Sequence, residues 1–107
     1  WLAARSPEEA GTAVVHNDFK YDNLVLDPAN LAHIRAVLDW EMATLGCPHM
    51  DLGTSLGYWI EAADPPALRM FGCTALPGNY SRAELIEAYE ARTGRRVAHP
   101  VFYYAYG

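Results

Sequence analysis

Three side chains in the first half of the sequence have the types and the spacing that phosphoryl transfer requires. Asp18 lies two residues after His16 and five before Asn23, and a further aspartate follows at Asp39. In loops of the pattern H-x-D-x-x-x-x-N, the aspartate receives the proton of a substrate hydroxyl and the asparagine holds a magnesium ion. Asp39 stands where such enzymes place their other magnesium ligand. The set predicts phosphate transfer, whereas turn-forming Asp and Asn would explain each position singly but not the whole pattern.

A β-hairpin is predicted to bring the two magnesium ligands together. Residues 24–26 and 34–38 are apolar and β-prone, and residues 27–30 between them are typical of a turn. A hairpin centred on Leu31 would oppose three pairs, namely Leu24 with Leu38, Val25 with Val37, and Asn23 with Asp39. Directly opposed residues in an antiparallel pair have Cα atoms about 4.5–5.5 Å apart. Both side chains could then reach one magnesium ion.

Capping signals predict the helices, and residues 12–15 form a short β-prone run before the catalytic loop. The predicted helices are one capped by Asp51 that runs to about residue 63, one opened by Ser81 and Glu84 that ends at Gly94, one that begins at Pro100, and a short one at residues 6–9.

Composition and charge argue against several classes of function. The net charge of -5 lacks the basic footprint that nucleic acid demands. No apolar run approaches membrane-spanning length, and 51% hydrophobic with 20% charged residues is ordinary for a soluble globular chain. Cys47 and Cys73, in a chain without a secretion signal, are expected to be free thiols in a reducing, cytoplasmic setting. With His49 and His99 they match no compact zinc motif.

Longer motifs extend the catalytic pattern. They are His16-Asn17-Asp18 with Asn23, Val37-Leu38-Asp39-Trp40-Glu41, Gly46-Cys47-Pro48-His49-Met50-Asp51-Leu52-Gly53, and the stretch from Tyr80 to Gly94 with Phe102-Tyr103-Tyr104. Together they resemble the aminoglycoside phosphotransferase and choline kinase-like family, most closely the subgroup related to kinase domains fused to acyl-CoA dehydrogenases. The resemblance covers nearly the whole chain from Val14 onward.

The resemblance implies an α+β fold, namely a protein kinase-like C-terminal lobe, mostly helical with a small catalytic β-hairpin and with the N-terminal lobe absent. Residues 1–107 would form a partial phosphotransferase domain. Its parts would be a catalytic loop at 16–23, a metal-binding hairpin at 24–39 and a helical substrate-side region at 50–107. The N-terminal lobe would belong to the same parent chain. Without the phosphate-binding groups of that lobe, the isolated chain is expected to lack useful kinase activity.

The resemblance also implies individual roles. Asp18 would be the catalytic base. Asn23 and Asp39 would bind Mg²⁺ that bridges the phosphates of ATP. Lys20 would touch the transferred phosphate, and Asp51 would brace the catalytic loop.

Three positions depart from the family pattern. Asn17 stands where Gly is commoner, Cys47 where Asp is common, and Gly53 where Ala is usual. None removes a metal ligand, so the chemistry is expected to survive. His16 is expected to be packed and hydrogen-bonded rather than a base, and Glu41 either to reach the metal region or to be a structural carboxylate.

The leading hypothesis is an ATP- and magnesium-dependent kinase that phosphorylates the hydroxyl of a small molecule. A hydroxyacyl-CoA-like metabolite is favoured over an aminoglycoside as the acceptor. The alternative is a non-catalytic kinase-like domain that binds a ligand or partner, against which the intact Asp18, Asn23 and Asp39 count. A metal-dependent phosphohydrolase ranks last, because it would show more ligands nearby. Nothing in the sequence specifies an oligomeric state.

Overall fold

Small antiparallel sheets and three helices form the part of the chain that the computed structural model describes, which is Pro7 with residues 11–70 and 72–107. The elements are β1 (Ala13–Val15), β2 (Leu24–Asp27), β3 (Asn30–Val37), β4 (Thr44–Gly46), α1 (Pro48–Tyr58), α2 (Arg82–Thr93) and α3 (Pro100–Tyr106). Short 3₁₀ turns lie at Tyr21–Asn23, Trp40–Met42 and Leu68–Met70. The helix start predicted at residues 6–9 falls outside the described residues, with the exception of Pro7. Among the described helices, none is long and apolar enough to cross a membrane.

The hairpin of β2 and β3 forms as predicted, but its predicted register is wrong. Leu24 pairs with Val37 rather than with Leu38, and Val25 pairs with Ala36. The tight turn lies between Asp27 and Asn30, as the turn residues there predicted, and not at Leu31, on which the hairpin was predicted to be centred. Irregularities on both sides of Leu26 absorb the extra residues. The first irregularity skips Arg35 of β3 and the second skips residues 31–33.

The corrected register changes the partner of Asn23, one of the two predicted magnesium ligands. The backbone N–H of Leu38 donates to the carbonyl of Asn23 at 2.8 Å, so Asn23 lies opposite Leu38 and not opposite Asp39. Asp39 follows β3 in a left-handed backbone conformation, with φ 66° and ψ 52°. The hairpin therefore carries both residues to its open end, although they are not a directly opposed pair.

The second sheet pairs β1 with β4 and was not predicted as a pairing. Val14 lies opposite Leu45, and the flanking pairs are Ala13 with Gly46 and Val15 with Thr44. This pairing joins the segment that enters the Asp18 loop to the segment that leaves the Asp39 loop.

Helix α1 begins earlier than predicted, because Pro48 rather than Asp51 sets its start. Cys47 is the N-cap and Pro48 occupies the first turn, where a fixed φ and a missing N–H cost nothing. Asp51 lies in the first turn, and its carboxylate accepts hydrogen bonds from the backbone of His16 and Asn17 instead of capping the helix. The helix ends at Tyr58, short of the predicted residue 63, although Ile60 beyond it is still buried.

The other two helices begin as predicted, and α2 also ends as predicted. The Ser81 hydroxyl accepts from the N–H of Glu84, and the Glu84 carboxylate accepts from the N–H of Ser81, which is a capping box. Gly94 ends α2 with φ 69°, a left-handed conformation that glycine adopts freely. Pro100 begins α3.

Arg82 fastens the start of α2 to the segment after α1. Its guanidinium donates to Asp64 Oδ1 at 3.1 Å and to Glu61 Oε2 at 3.2 Å. It also lies 4.7 Å from the ring centroid of Tyr104, on α3. One side chain therefore links three parts of the helical region.

The core lies where α1 packs on α3. Its buried residues are Leu52, Leu56, Val97, Phe102 and Tyr103. Gly53 permits the close approach of the two helices, because a Cβ built there would lie 2.8 Å from the carbonyl carbon of Tyr103. Alanine is usual at this position in the resembling family. Because a Cβ does not fit here, the close spacing of α1 and α3 in this chain depends on the glycine.

We expect Gly53→Ala to destabilise the fold by about 1–3 kcal/mol, because the added methyl must displace the Tyr103 backbone. Urea unfolding followed by circular dichroism would measure the change. Gly72→Ala is the matched control, since a Cβ there would meet nothing closer than 3.6 Å. An equal stability of Gly53→Ala and wild type would show that α1 and α3 do not depend on this contact.

Candidate functional site

Asp18 lies buried in the loop between β1 and the 3₁₀ turn Tyr21–Asn23. Lys20 Nζ lies 3.0 Å from Asp18 Oδ1 and 2.9 Å from Oδ2. Asn23 Nδ2 donates to Asp18 Oδ2 at 2.9 Å and to the Asp18 carbonyl at 2.8 Å. The carboxylate is thus held in one orientation by a cation and an amide from its own loop.

These contacts lower the pKa of Asp18. The hydrogen bond from Lys20 has the largest effect, burial opposes it, and hydrogen bonds from Tyr58 and Asn23 add to it. The same contact raises the pKa of Lys20. Asp18 is therefore a carboxylate at neutral pH and can accept a hydrogen bond from a hydroxyl.

The orientation of the Asn23 side chain follows from its partners. Both atoms that it contacts on Asp18 are hydrogen-bond acceptors, so the amide nitrogen must face them. The amide oxygen Oδ1 is then the atom that can ligate a cation. Carbonyl and carboxylate oxygens are the ligands that Mg²⁺ prefers.

Asp39 lies in a concentration of negative charge. A hydrogen bond with Asp39 and the charge of that residue raise the pKa of Glu41, with burial and the charge of Asp18 adding smaller effects. Glu41, for which sequence reasoning left two roles open, therefore lies close enough to Asp39 for the two acids to influence each other. A bound cation would relieve the repulsion among these acids.

No group of three or more His, Cys, Asp or Glu side chains within the described residues is arranged to hold a metal ion. Magnesium often takes only one or two protein ligands and completes its shell with phosphate oxygens and water. Asn23 Oδ1 and the Asp39 carboxylate fit such a site. His49, one of the residues that suggested zinc, packs instead against the ring of Tyr103, with centroids 5.2 Å apart.

Helix α1 braces the Asp18 loop through Asp51. Its Oδ2 accepts from the backbone N–H of His16 at 3.0 Å, and its Oδ1 accepts from the N–H of Asn17 at 2.7 Å. Charge-assisted bonds of this kind are among the stronger hydrogen bonds in proteins. The bracing role that the family resemblance implied for Asp51 is confirmed.

His16 links the catalytic loop to the hairpin and is 3% exposed. Its Nε2 lies 2.7 Å from the carbonyl of Leu38, and its Nδ1 lies 3.2 Å from the N–H of Asp18. Both contacts are hydrogen bonds when the proton is on Nε2. His16 is packed and hydrogen-bonded, as predicted, and it holds the Asp18 and Asp39 loops together.

Two residues other than glycine have a positive φ in the described part of the chain, and both lie in this site. They are Asn17, at 63°, and Asp39, at 66°. Asn and Asp tolerate this left-handed region better than other residues with a Cβ, and such strain collects at functional sites. The conformation explains why glycine is commoner at position 17 in the resembling family. Asn17 uses its side chain as well, since Nδ2 donates to the Met42 carbonyl at 2.9 Å.

A model of the phosphotransferase enzyme family matches residues 1–96. The chain belongs to that family.

Curated relatives and a solved structure agree with this membership. Acyl-CoA dehydrogenase family member 10 from Mus musculus is 42% identical over 66 residues, which is 61% of this chain and 6% of the relative. Acyl-CoA dehydrogenase family member 11 from Mus musculus is 36% identical over 96 residues, which is 88% of this chain and 12% of the relative. The predicted resemblance to this subgroup is confirmed.

A crystal structure from Ralstonia eutropha, described as a "putative aminoglycoside phosphotransferase", matches 99% of the chain with a TM-score of 0.79 and 34% identity. The present chain of 107 residues covers 33% of the chain in that crystal structure. The predicted α+β, protein kinase-like fold is confirmed at this level.

Sequence reasoning missed two α1 residues that reach the catalytic loop. Ser55 Oγ donates to the Phe19 carbonyl at 2.9 Å, and the Tyr58 ring centroid lies 4.8 Å from Lys20 Nζ. With Asp51 they occur at i, i+4 and i+7, a spacing that places side chains on one helix face. That polar spacing was the signal that could have found them.

Proposed function

We propose that this phosphotransferase moves the γ-phosphate of ATP to a hydroxyl of a small molecule. The observation that carries the proposal is the Asp18 carboxylate, which is buried, kept ionised by Lys20, and joined through His16 to the Asp39 loop. Residues 16–23 would be the catalytic loop, residues 24–39 the metal-binding hairpin, and residues 50–107 the substrate side. We further propose that these parts are the C-terminal lobe of a longer kinase-like domain whose N-terminal lobe completes the ATP site.

In the proposed step, the acceptor oxygen forms a bond to the γ-phosphorus while the bond from that phosphorus to the β–γ bridging oxygen breaks. ADP leaves, and the hydroxyl proton passes to Asp18. Lys20, whose ammonium already lies at Asp18, would meet the negative charge of the transferred group. Positioning and charge stabilisation are the main contributions that a protein makes to this reaction.

Asn23 and Asp39 would hold Mg²⁺. When bound, the ion would supply positive charge that offsets the negative charge of the phosphates. The support is the donor set described above, with a free amide oxygen on Asn23 and a carboxylate pair at Asp39 and Glu41.

The acceptor would enter beside Lys20. A cavity of about 810 Å³ lies between α1 and α2, and it shares Lys20 and Tyr58 with the site, although Asp18 does not line it. Trp59, Ile60 and Leu85 give it apolar walls, which suits an acyl chain better than a polycationic aminoglycoside. Together with the acyl-CoA dehydrogenase relatives, this favours a hydroxyacyl-CoA-like acceptor.

Nucleotide titration of the complete protein, with and without magnesium, tests the proposed metal ligands. We expect Asn23→Ala to abolish most of the magnesium-dependent gain in ATP affinity. Asn30→Ala, in the exposed turn of the same hairpin, should bind like wild type. Magnesium-dependent ATP binding that is unchanged in Asn23→Ala would contradict the proposed site.

A further inference from the structure

The face of α1 that carries Asp51 and Ser55 ends in Tyr58, the last residue of the helix. The first two residues hold the backbone of the catalytic loop. Tyr58 differs, because its ring lies beside the Lys20 ammonium, which is itself paired with Asp18.

The contact with Lys20 has the geometry of a cation–π interaction. Lys20 Nζ lies 4.8 Å from the centroid of the Tyr58 ring, and ammonium groups within about 6 Å of a ring centroid are attracted to its face. A lysine side chain is otherwise flexible and samples many rotamers. The ring restricts the ammonium to the edge of the Asp18 carboxylate.

The Tyr58 ring gives the Lys20 ammonium a second contact besides its ion pair with Asp18. Lys20 contacts both oxygens of Asp18, yet one of them must become available to the acceptor hydroxyl. An ammonium held only by the carboxylate would have no other contact to keep it in place once it moved away from one oxygen. The contact with the ring would let the Lys20 ammonium release one Asp18 oxygen and stay beside the phosphate that is transferred.

We propose that Tyr58 is a positioning residue that holds the Lys20 ammonium over its ring, between Asp18 and the transferred phosphate. The proposal rests on the phosphotransferase reaction argued above. The contact itself is present without any substrate, so it can be tested separately from that reaction.

Acylation of Lys20 by an amine-reactive acetate ester, followed by mass spectrometry of the complete protein, tests the contact. Lys20 is the one lysine of the sequence, and its side chain is 28% exposed, so its peptide reports on one site. We expect Tyr58→Leu to raise the labelling rate about threefold or more and Tyr58→Phe, which keeps the ring, to stay within about twofold of wild type. The control is Tyr106→Leu, at the end of α3, which should label like wild type.

An unchanged labelling rate in Tyr58→Leu would overturn the proposal. So would an equal rise in Tyr106→Leu, because that would reflect general loosening. Tyr58 is 44% exposed, so the leucine variant is expected to fold.

Kinetics of the same variants test the role in transfer. We expect Tyr58→Leu to lower kcat about fivefold with the KM for ATP within about twofold of wild type. In a Lys20→Met background the same change should have no further effect, since coupled residues do not act additively. Equal losses in both backgrounds would overturn the positioning role. Absence of any transfer by wild type would refute the proposed function, and the labelling result would still decide whether Tyr58 holds Lys20.

Discussion

Asp18→Asn is expected to lower kcat of the complete protein by about 10²–10⁴-fold, the range that a positioned proton acceptor contributes. Asparagine has nearly the same shape and can still accept a hydrogen bond from Lys20, but it cannot take the proton of the acceptor hydroxyl. Nucleotide affinity should change by less than about threefold, since Asn23 and Asp39 would still hold magnesium. Steady-state turnover and ATP titration on the same preparation would measure both quantities.

Glu87→Gln is the matched control for this variant, because it removes one exposed carboxylate on α2 and should leave turnover unchanged. Turnover of Asp18→Asn within about tenfold of wild type would remove Asp18 from the proton-accepting role. Loss of nucleotide binding together with turnover would instead mean that the substitution had disrupted the loop.

Asp51→Ala is expected to destabilise the protein by about 2–5 kcal/mol and to abolish most of its turnover. The substitution leaves the backbone N–H groups of His16 and Asn17 without their acceptor, and each unsatisfied donor costs about 1–3 kcal/mol. Asn17 also loses a contact that holds its left-handed conformation. Urea unfolding and turnover at a temperature where the variant remains folded would separate the two effects.

Two further variants sharpen the test of Asp51. Asp51→Asn retains one acceptor oxygen and should fall between Ala and wild type. Thr54→Ala removes only the bond from its hydroxyl to the Met50 carbonyl within α1, and should change stability by less than about 1 kcal/mol. If Asp51→Ala were as stable as Thr54→Ala, the Asp51 carboxylate would not be what stabilises the backbone at His16 and Asn17.

The features predictable from sequence were those encoded by neighbouring residues. The capping box at Ser81 and Glu84 and the glycine that ends α2 depend on contacts within one turn, and both are confirmed. The family was also recognisable, because the spacing around Asp18 and Asp39 is short and specific.

The features that sequence reasoning missed depend on contacts between distant segments. The register of the β2–β3 hairpin is decided by bulges that no local pattern marks. The pairing of β1 with β4 joins strands of three residues that are separated by the whole hairpin. Asp51 has a good N-cap side chain, yet Pro48 starts the helix and the carboxylate serves the catalytic loop instead.

Spacing could have placed Tyr58 on the face of α1 that carries Asp51 and Ser55, but it could not show which side chains of the site are in contact. The left-handed conformation of Asn17 and the contact of Tyr58 with Lys20 emerge only when α1 packs beside the catalytic loop. The departure from glycine at position 17 was the sequence feature that could have indicated the left-handed conformation of Asn17.

The most direct test of the central claim is to detect the phosphorylated product of the complete protein by mass spectrometry. The reaction would contain magnesium and ATP, with hydroxyacyl-CoAs, aminoglycosides and choline-like alcohols tested separately as acceptors, and Asp39→Ala as the control. We predict a phosphate ester on the hydroxyl of one acceptor class, the hydroxyacyl-CoAs, with product formation lost in Asp39→Ala. Product that persists in Asp39→Ala, or no product with any of these acceptors from a protein that binds magnesium and ATP, would contradict it.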